Sequence, residues 1–209
     1  MIVKVCGMRE AENIRAIEHL GIQWMGFIFY PPSPRYVDRK PDYLPASVQR
    51  AGVFVNDTTE NIIRHTFDFD LDIVQLHGTE TPEFCRTLLN LLRTKGKEIV
   101  LVKAFSVAEE IQLKQTAAYQ PYCRYFLFDT PCRGYGGSGE AFNWELLSAY
   151  EGSTPFLLSG GISCHHLPAL KQFKHPQWTG IDLNSGFEIR PAYKDVSLLR
   201  KFIQEINKS

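Results

Sequence analysis

Short apolar runs recur along this chain, and each is followed at once by a residue with a polar or reactive side chain. Eight such runs in 209 residues give one about every 26 residues. Between them lie segments with the apolar spacing of amphipathic helices. Alternating strands and helices predict a parallel sheet covered by helices, and eight units favour a closed (β/α)8 barrel over an open doubly wound sheet. The predicted strands are Ile2–Val5, Trp24–Phe29, Ala51–Val55, Ile73–Leu76, Ile99–Val102, Tyr125–Phe128, Phe156–Leu158 and Gly180–Ile181.

The segments between the strands carry start signals for helices. Thr58 and Thr81 stand where N-cap residues are expected, and Pro82 follows in the first turn, where a helix tolerates proline. The proline-containing stretch from Tyr36 to Ala46 predicts a loop with a short helix. The other predicted helices are Glu10–His19, one opening at Thr58–Glu60, Phe84–Leu92, Val107–Ala118, Trp144–Tyr150, Cys164–Phe173 and Val196–Ile206.

Length and charge restrict the kind of protein. The 209 residues lie near the lower end of the range for such barrels, ~200 to 250 residues, and favour one domain. Lys plus Arg equals Asp plus Glu, 23 each, so a broad basic surface for nucleic acid is not expected. No apolar run approaches the ~18 residues of a membrane span, and the N-terminus does not resemble a signal peptide. We therefore expect a cytoplasmic protein, either a monomer or a homodimer.

The five cysteines are scattered and odd in number, which favours reduced thiols over a disulfide framework. They show no CxxC spacing. Cys164, His165 and His166 are adjacent, and adjacent residues are poorly placed to share one tetrahedral ion. The sequence therefore predicts no metal site.

Reactive side chains at the strand ends are the candidate catalytic groups, because the carboxyl ends of barrel strands build the active site. Cys6 is a candidate general base if the site lowers its pKa, or else a buried small hydrophobe. Lys4, on the same face, either favours the thiolate or is a polar residue of the inner layer. Asp129 follows an aromatic run that would raise its pKa and suit a proton donor, or it caps the next turn.

Other strand ends suggest ligand contacts. His77 is either a ligand-binding residue or a structural imidazole, and Arg35 either pairs with a carboxylate or is a solvated loop residue. Ser159-Gly160-Gly161 follows the seventh strand, and Asn184-Ser185-Gly186 follows the eighth. Backbone N–H groups at these two places commonly bind phosphate, so the sequence predicts a phosphorylated substrate.

The stretch Gly134–Gly139 follows a polar loop rather than a strand and is interpreted as a loop over the pocket, or as a plain surface loop.

Taken together, these motifs resemble the phosphoribosylanthranilate isomerase family of tryptophan biosynthesis. The matching segments lie in family order along nearly the whole chain, and as a set they are highly specific. They are KVCGM at 4–8, GFIFYPPSPRYV at 26–37, GVFVN at 52–56, VQLHG at 74–78, FLFDT at 126–130, GGSG at 136–139, SGGI at 159–162 and GIDLNSGFE at 180–188.

The resemblance implies a single (β/α)8 catalytic domain over residues 1–209 and an Amadori rearrangement of N-(5'-phosphoribosyl)anthranilate. It implies that Cys6 is the general base, that Asp129 is the general acid and that Arg35 binds the anthranilate carboxylate. No cofactor is implied, since the iminium intermediate is its own electron sink. The remaining residues expected to bind the small phosphoribosyl substrate are His77, Gly160, Gly161, Asp182, Asn184, Ser185 and Gly186.

The sequence departs from the family pattern in three places. The family more often has threonine in the loop at 137–139, serine where Asn184 stands, and alanine where Ser159 stands.

Two other functions remain open: a different phosphosugar isomerase or epimerase barrel, and a non-catalytic barrel that binds phosphometabolites. The first relies on paired carboxylates or metal ligands, and it is disfavoured because the first strand ends in Cys6 and Arg35 suits a second anionic end. The second would lose the base or the acid, and it is disfavoured because both Cys6 and Asp129 are present.

Overall fold

A computed structural model describes residues 1–129 and 144–208, and it contains a closed barrel of eight parallel strands. Each strand pairs with the next in sequence, and β1 pairs with β8 to close the ring. The predicted (β/α)8 fold is confirmed. The strands are β1 Ile2–Val5, β2 Trp24–Ile28, β3 Gln49–Phe54, β4 Ile73–Leu76, β5 Val100–Ser106, β6 Tyr125–Asp129, β7 Phe156–Ser159 and β8 Trp178–Leu183.

Helices of unequal length cover the barrel. As predicted, the Thr58 and Thr81 hydroxyls accept from backbone amides in the first turns of their helices. No helix in the described part of the chain is long and apolar enough to cross a membrane. The α-helices are α1 Ala11–Glu18, α2 Thr59–Asp68, α3 Pro82–Thr94, α4 Ile111–Lys114, α5 Leu167–Gln172 and α6 Val196–Ile206, with 3-10 turns at Gln115–Tyr119, Trp144–Ala149, Cys164–His166 and Ser185–Phe187.

Four predicted helices are wrong in whole or in part. The stretch from Tyr36 to Ala46 contains no helix, because its prolines lack N–H donors. The helix predicted from Val107 begins only at Ile111, since the Gln112 side chain accepts from the Glu109 amide at 3.0 Å and caps the segment ahead of it. The helix predicted from Cys164 starts as a separate 3-10 turn, because Pro168 cannot donate to the carbonyl of Cys164. The helix predicted over Trp144–Tyr150 is a 3-10 turn over Trp144–Ala149.

Two strands extend two or more residues past their predicted carboxyl ends. β5 continues past Lys103 to Ser106, where it pairs with Asp129, so Lys103 lies inside a strand rather than after one. β8 likewise runs on to Leu183, so Asp182 is a strand residue that faces the barrel interior opposite Lys4. In both cases pairing with a neighbouring strand, β6 for β5 and β1 for β8, continues the ladder beyond the apolar run. The Gly134–Gly139 loop and Cys132 lie outside the described residues.

The barrel interior has an apolar floor and a polar layer above it. Mostly aliphatic side chains fill the floor and form one cluster, whereas a second and larger cluster lies between the strands and the helices. The polar layer consists of Lys4, Gln75 and Asp182, all of them buried. The floor residues are Trp24, Ala51, Ile73, Val102, Ala104, Leu127 and Leu157.

A two-stranded hairpin follows β8 and lies before α6. It consists of β9 Glu188–Arg190 and β10 Tyr193–Lys194. The Asn13 side chain of α1 donates to the Lys194 carbonyl at 2.9 Å and accepts from the Lys194 amide at 2.8 Å. This pair of bonds fixes the hairpin against α1 and so holds Glu188 and Lys194 near the ends of β1 and β8.

Candidate active site

Cys6 follows β1 with its side chain buried inside the barrel and only 3% exposed. Its amide donates to the Leu183 carbonyl at 2.8 Å, which extends the β1–β8 pairing by one residue. The neighbouring strand makes room for the thiol, because a Cβ on Gly26 would lie 2.6 Å from Sγ. Gly7 has φ +74°, and a Cβ there would meet the Arg35 side chain at 2.7 Å. The two glycines thus permit Cys6 and Arg35 to occupy one end of the barrel.

A buried ion pair lies one step below Cys6. Lys4 Nζ is 3.0 Å from Asp182 Oδ2 and donates to Gln75 Oε1 at 2.6 Å. The other carboxylate oxygen, Asp182 Oδ1, is buried and has no hydrogen-bond partner within residues 1–129 and 144–208. Burial lowers the pKa of Lys4, but the negative groups Asp182 and Cys6 outweigh burial and raise it. Lys4 is therefore a fixed positive charge beneath the thiol.

The pKa of Cys6 is raised, not lowered. Burial is the largest cause, and the nearby carboxylate of Asp182 adds to it. Lys4 and Lys194 act in the opposite direction but do not outweigh burial. The hypothesis that Lys4 favours the thiolate is correct in sign, while the site as a whole favours the neutral thiol.

Asp129 is the last residue of β6, and it contacts His77, which follows β4. His77 Nε2 lies 3.4 Å from Asp129 Oδ2, and the two side chains are 32% and 34% exposed. The other ring nitrogen, His77 Nδ1, lies 2.9 Å from Gln75 Nε2. Gln75 thus connects the polar layer under Cys6 with the imidazole beside Asp129.

Arg35 is paired within the protein by a carboxylate that the sequence analysis did not assign. Its Nε donates to Glu188 at 2.9 and 3.0 Å, and its Nη2 donates to Glu188 Oε2 at 2.6 Å. Lys194 Nζ, fully buried, donates to the same carboxylate at 2.7 Å and to Asn184 Oδ1 at 2.7 Å. Burial raises the pKa of Glu188, but Arg35 and Lys194 outweigh burial and lower it.

Glu188 and Lys194 are therefore site residues that sequence reasoning missed. Glu188 lies in the motif GIDLNSGFE, directly after the glycine loop of β8, and that position was the available signal. Nothing in the sequence around Lys194 distinguishes it from a surface lysine, since its burial depends on the contact between the hairpin and α1.

The glycine loops after β7 and β8 lie side by side. Gly160 and Gly161 have φ of +95° and +64°, a conformation that only glycine adopts without strain. A Cβ on Gly186 would collide with the Ile162 carbonyl, so the two loops are in contact. The backbone amides of Gly161, Ser185 and Gly186 donate to no acceptor in the described ranges, which leaves three N–H groups near one another. This arrangement is typical of anion sites.

Two other polar side chains, Lys103 after the fifth predicted strand and His166 in the Cys164-His165-His166 run, do not belong to this cluster. Lys103 Nζ donates to the carbonyls of Gly78 and Ala104 and lies 3.3 Å from Glu80, on the outer side of β5, so it supports the β4 loop. His166 Nδ1 is engaged by Ser163 rather than by Cys164. Within residues 1–129 and 144–208 no group of three His, Cys, Asp or Glu side chains has the arrangement of a metal site.

The closed parallel barrel, with a thiol, a carboxylate, a guanidinium and glycine loops at the carboxyl ends of its strands, defines a (β/α)8-barrel enzyme. Residues 3–205 match the family model described as N-(5'-phosphoribosyl)anthranilate (PRA) isomerase. The chain therefore belongs to the phosphoribosylanthranilate isomerase family.

Similar proteins have the same length. The N-(5'-phosphoribosyl)anthranilate isomerase of Phocaeicola vulgatus is 55% identical over 99% of this chain and 98% of its own. Among solved structures, the phosphoribosyl anthranilate isomerase of Thermotoga maritima is 30% identical and covers both chains fully, with a TM-score of 0.80. Another, solved with reduced 1-(o-carboxyphenylamino)-1-deoxyribulose 5-phosphate, is 28% identical over both full chains with a TM-score of 0.78.

Proposed function

We propose that this chain converts N-(5'-phosphoribosyl)anthranilate into 1-(2-carboxyphenylamino)-1-deoxyribulose 5-phosphate, the Amadori rearrangement of tryptophan biosynthesis. Residues 1–209 act as one cytoplasmic catalytic domain, as a monomer or a homodimer. One observation carries the proposal beyond family membership: the carboxyl ends of β1 and β6 present a thiol, Cys6, and a carboxyl group, Asp129, on one barrel whose other strand ends supply cationic and N–H groups.

Ring opening is the first step. Asp129 donates a proton to the furanose ring oxygen, and the bond from that oxygen to C1' breaks. The lone pair of the anthranilate nitrogen forms a C=N bond, which gives an iminium ion. Asp129 suits this role because it is partly exposed at the end of β6, where a substrate can reach it. The His77 Nε2–H beside it stabilises the carboxylate left after proton transfer.

Proton removal from the sugar is the second step. The Cys6 thiolate takes the proton from C2', the C–H electrons form a C1'=C2' double bond, and the C=N electrons return to nitrogen. The resulting enolamine tautomerises, with a proton added at C1', to the 2-ketone. General acid or base help of this kind contributes ~10² to 10⁴ in rate per group.

The second step needs the Cys6 thiolate, whereas burial favours the neutral thiol. The positive charge of the iminium intermediate accounts for this difference. Burial keeps the free thiol protonated, and Lys4 and Lys194 only partly oppose burial. The iminium ion formed in the first step places a further positive charge next to Sγ. Nearby positive charge lowers a thiol pKa, so the thiolate that takes the C2' proton is more populated once the iminium ion has formed.

The two anionic ends of the substrate fit the two sides of the site. The phosphate lies on the amides of Gly161, Ser185 and Gly186, with Gly160 and Asn184 completing the loops that present them. The anthranilate carboxylate lies against Arg35, whose orientation Glu188 fixes. The free Asp182 Oδ1 faces the sugar between them and accepts a hydrogen bond from a hydroxyl group.

The direct test is an assay of the purified protein with N-(5'-phosphoribosyl)anthranilate, coupled to the next enzyme of the pathway and run with and without a chelator. We expect turnover that the chelator does not change. Ribulose 5-phosphate epimerisation, measured in parallel, tests the alternative phosphosugar reaction. Absence of isomerisation above the uncatalysed rate, or faster turnover of ribulose 5-phosphate, would overturn the proposal.

A further inference from the structure

Gln75 belongs to the buried polar layer of the barrel interior, above the apolar floor. It lies in β4 between Val53 of β3 and Val102 of β5, and its side chain is 2% exposed. A buried amide without hydrogen-bond partners destabilises the folded state, because its polar groups lose their contacts with water. Such a residue is retained where its hydrogen bonds matter, and both ends of this amide are bonded.

The chemistry of its neighbours fixes the orientation of the Gln75 amide. Lys4 is an ammonium group and can only donate, so the Gln75 atom that faces it at 2.6 Å must be the carbonyl oxygen. The NH₂ group of Gln75 must then face His77 Nδ1 at 2.9 Å, where it donates. A flipped amide would direct N–H groups at an ammonium and would leave no donor for the imidazole.

The amide in turn selects one tautomer of His77. Nδ1 accepts from Gln75, so it carries no proton, and the imidazole is neutral with its proton on Nε2. That Nε2–H is the atom 3.4 Å from Asp129 Oδ2. Lys4 is itself held by Asp182 at 3.0 Å, so hydrogen bonds connect Asp182, Lys4, Gln75 and His77, and the far nitrogen of His77 lies 3.4 Å from Asp129.

We propose that Gln75 is a positioning residue: it transmits the fixed donor direction of Lys4 to His77 and so keeps the His77 Nε2–H directed at the carboxyl group of Asp129. A directed Nε2–H holds one carboxyl oxygen and stabilises the carboxylate that remains after Asp129 gives up its proton. Lys4 contributes at both ends, since the same ammonium interacts with Cys6. The charged and titratable groups along this path are Cys6, Lys4, Asp182, His77 and Asp129.

The first test is spectroscopic and needs no substrate. In ¹⁵N-histidine-labelled parent protein, with the His77 signals assigned by comparison with His77→Asn, we expect an unprotonated Nδ1 and a protonated Nε2. In Gln75→Glu the carboxylate still accepts from Lys4 but cannot donate to His77, so we expect protonation of Nδ1. A parent His77 with its proton on Nδ1 would overturn the proposal, even if Gln75→Glu did not fold.

The second test is kinetic, and this arm rests on the proposed function. Gln75→Met keeps the length of the side chain and removes both bonds; we expect kcat to fall by about tenfold or more, a part of the ~10² to 10⁴ that a general acid contributes. KM should change less than kcat, because Gln75 lies below the surface of the site. Gln23→Met, which removes a glutamine at the opposite end of the barrel, is the matched control and should keep the parent kcat.

A folded Gln75→Met with kcat within about twofold of the parent would contradict the positioning role. Circular dichroism and thermal unfolding of both variants establish that the barrel is intact. If the parent itself shows no isomerase activity, the proposed function fails, whereas the His77 tautomer still decides whether Gln75 directs the imidazole.

Discussion

At the scale of single residues, the proposed base and the proposed acid occupy different environments. Cys6 is 3% exposed, and burial raises its pKa, whereas Asp129 stands at the edge of the site beside His77. A thiol in such a place needs positive charge to ionise, and the structure supplies Lys4 below it and Lys194 on the side of the hairpin. The two groups are therefore not interchangeable, and substitutions at each have separate consequences.

Cys6→Ser should lower kcat by about 10² to 10⁴ while KM stays close to that of the parent. A serine hydroxyl is too weak an acid to supply the anionic base, and its similar size leaves the site otherwise unchanged. Steady-state kinetics measure both constants. Cys164→Ser, which replaces an exposed cysteine away from the barrel interior, is the control. Near-parent turnover of Cys6→Ser would remove Cys6 from the mechanism.

Asp129→Asn should also lose turnover by ~10² or more with the fold retained, because an amide keeps the shape of the side chain and cannot deliver a proton to the ring oxygen. The measurement is kcat at several pH values, beside the thermal unfolding curve. If this variant isomerises at the parent rate, the acid lies elsewhere, and His77 is the next residue to replace.

Arg35→Met should weaken binding of the substrate and of a reduced product analogue by about 2 to 5 kcal/mol, since a carboxylate loses its charged partner. Arg35→Lys should recover only a part, because an ammonium lacks the planar fork. Ribose 5-phosphate, which carries no anthranilate group, should bind parent and variant equally. Calorimetric titration of both ligands separates these cases, and equal weakening of both would end the carboxylate assignment.

At the scale of secondary-structure elements, the hairpin of β9 and β10 supplies the charges that support Arg35. Glu188 receives hydrogen bonds from Arg35 and Lys194, and the hairpin is fixed by the bonds between Asn13 and the Lys194 backbone. The residues that support the proposed carboxylate subsite thus come from a segment after the eighth strand. The barrel strands position the reacting groups, and the hairpin positions the guanidinium.

Glu188→Gln should lower the free energy of unfolding by about 2 to 5 kcal/mol, because it leaves the buried Lys194 ammonium without its carboxylate. It should raise KM as well, since Arg35 loses the group that orients it. The double variant Glu188→Gln with Lys194→Met should regain most of the stability and keep the raised KM. Urea denaturation and kinetics test both effects, with Glu98→Gln, an 84% exposed glutamate, as the control. A Glu188→Gln protein as stable as the parent would contradict the network.

At the scale of the whole molecule, the barrel is held by two apolar clusters and by a buried polar layer above the inner cluster. Tyr150 illustrates the outer layer: its ring packs against Phe128 and Phe156, and its hydroxyl donates to the Thr154 carbonyl at 2.8 Å. Burial raises its pKa to about 12 from an ordinary value of 10.0. The outer cluster therefore contains a group whose ionisation opposes folding.

Tyr150 predicts a loss of stability at high pH. The folded state binds this proton more tightly than the unfolded state, so the contribution is complete below pH 10, and it is lost as the pH rises from 10 to about 12. The loss should be on the order of 2 to 3 kcal/mol. Tyr150→Phe should lower stability at neutral pH and flatten this part of the curve. Denaturation of both proteins at matched pH measures the difference, and parallel curves would refute the assignment.

The sequence by itself determined the barrel, because the spacing of its apolar runs is a local property. It can be read from the sequence without knowing which side chains pack together. It also placed Cys6, Asp129, Arg35, His77 and the two glycine loops at strand ends, and the structure brings the ends of those strands to one side of the barrel. The roles assigned to these residues remain predictions.

Only the tertiary structure decided which side chains face one another and how far each strand extends. Lys103 has the sequence position of a site residue and supports a loop, whereas Lys194 looks like a surface lysine and is fully buried. Gln75 lies within the motif VQLHG and was not singled out in the sequence, whereas in the structure its side chain is hydrogen-bonded to Lys4 and His77. Burial, pKa and hydrogen-bond direction depend on residues distant in the chain, so no local pattern contains them.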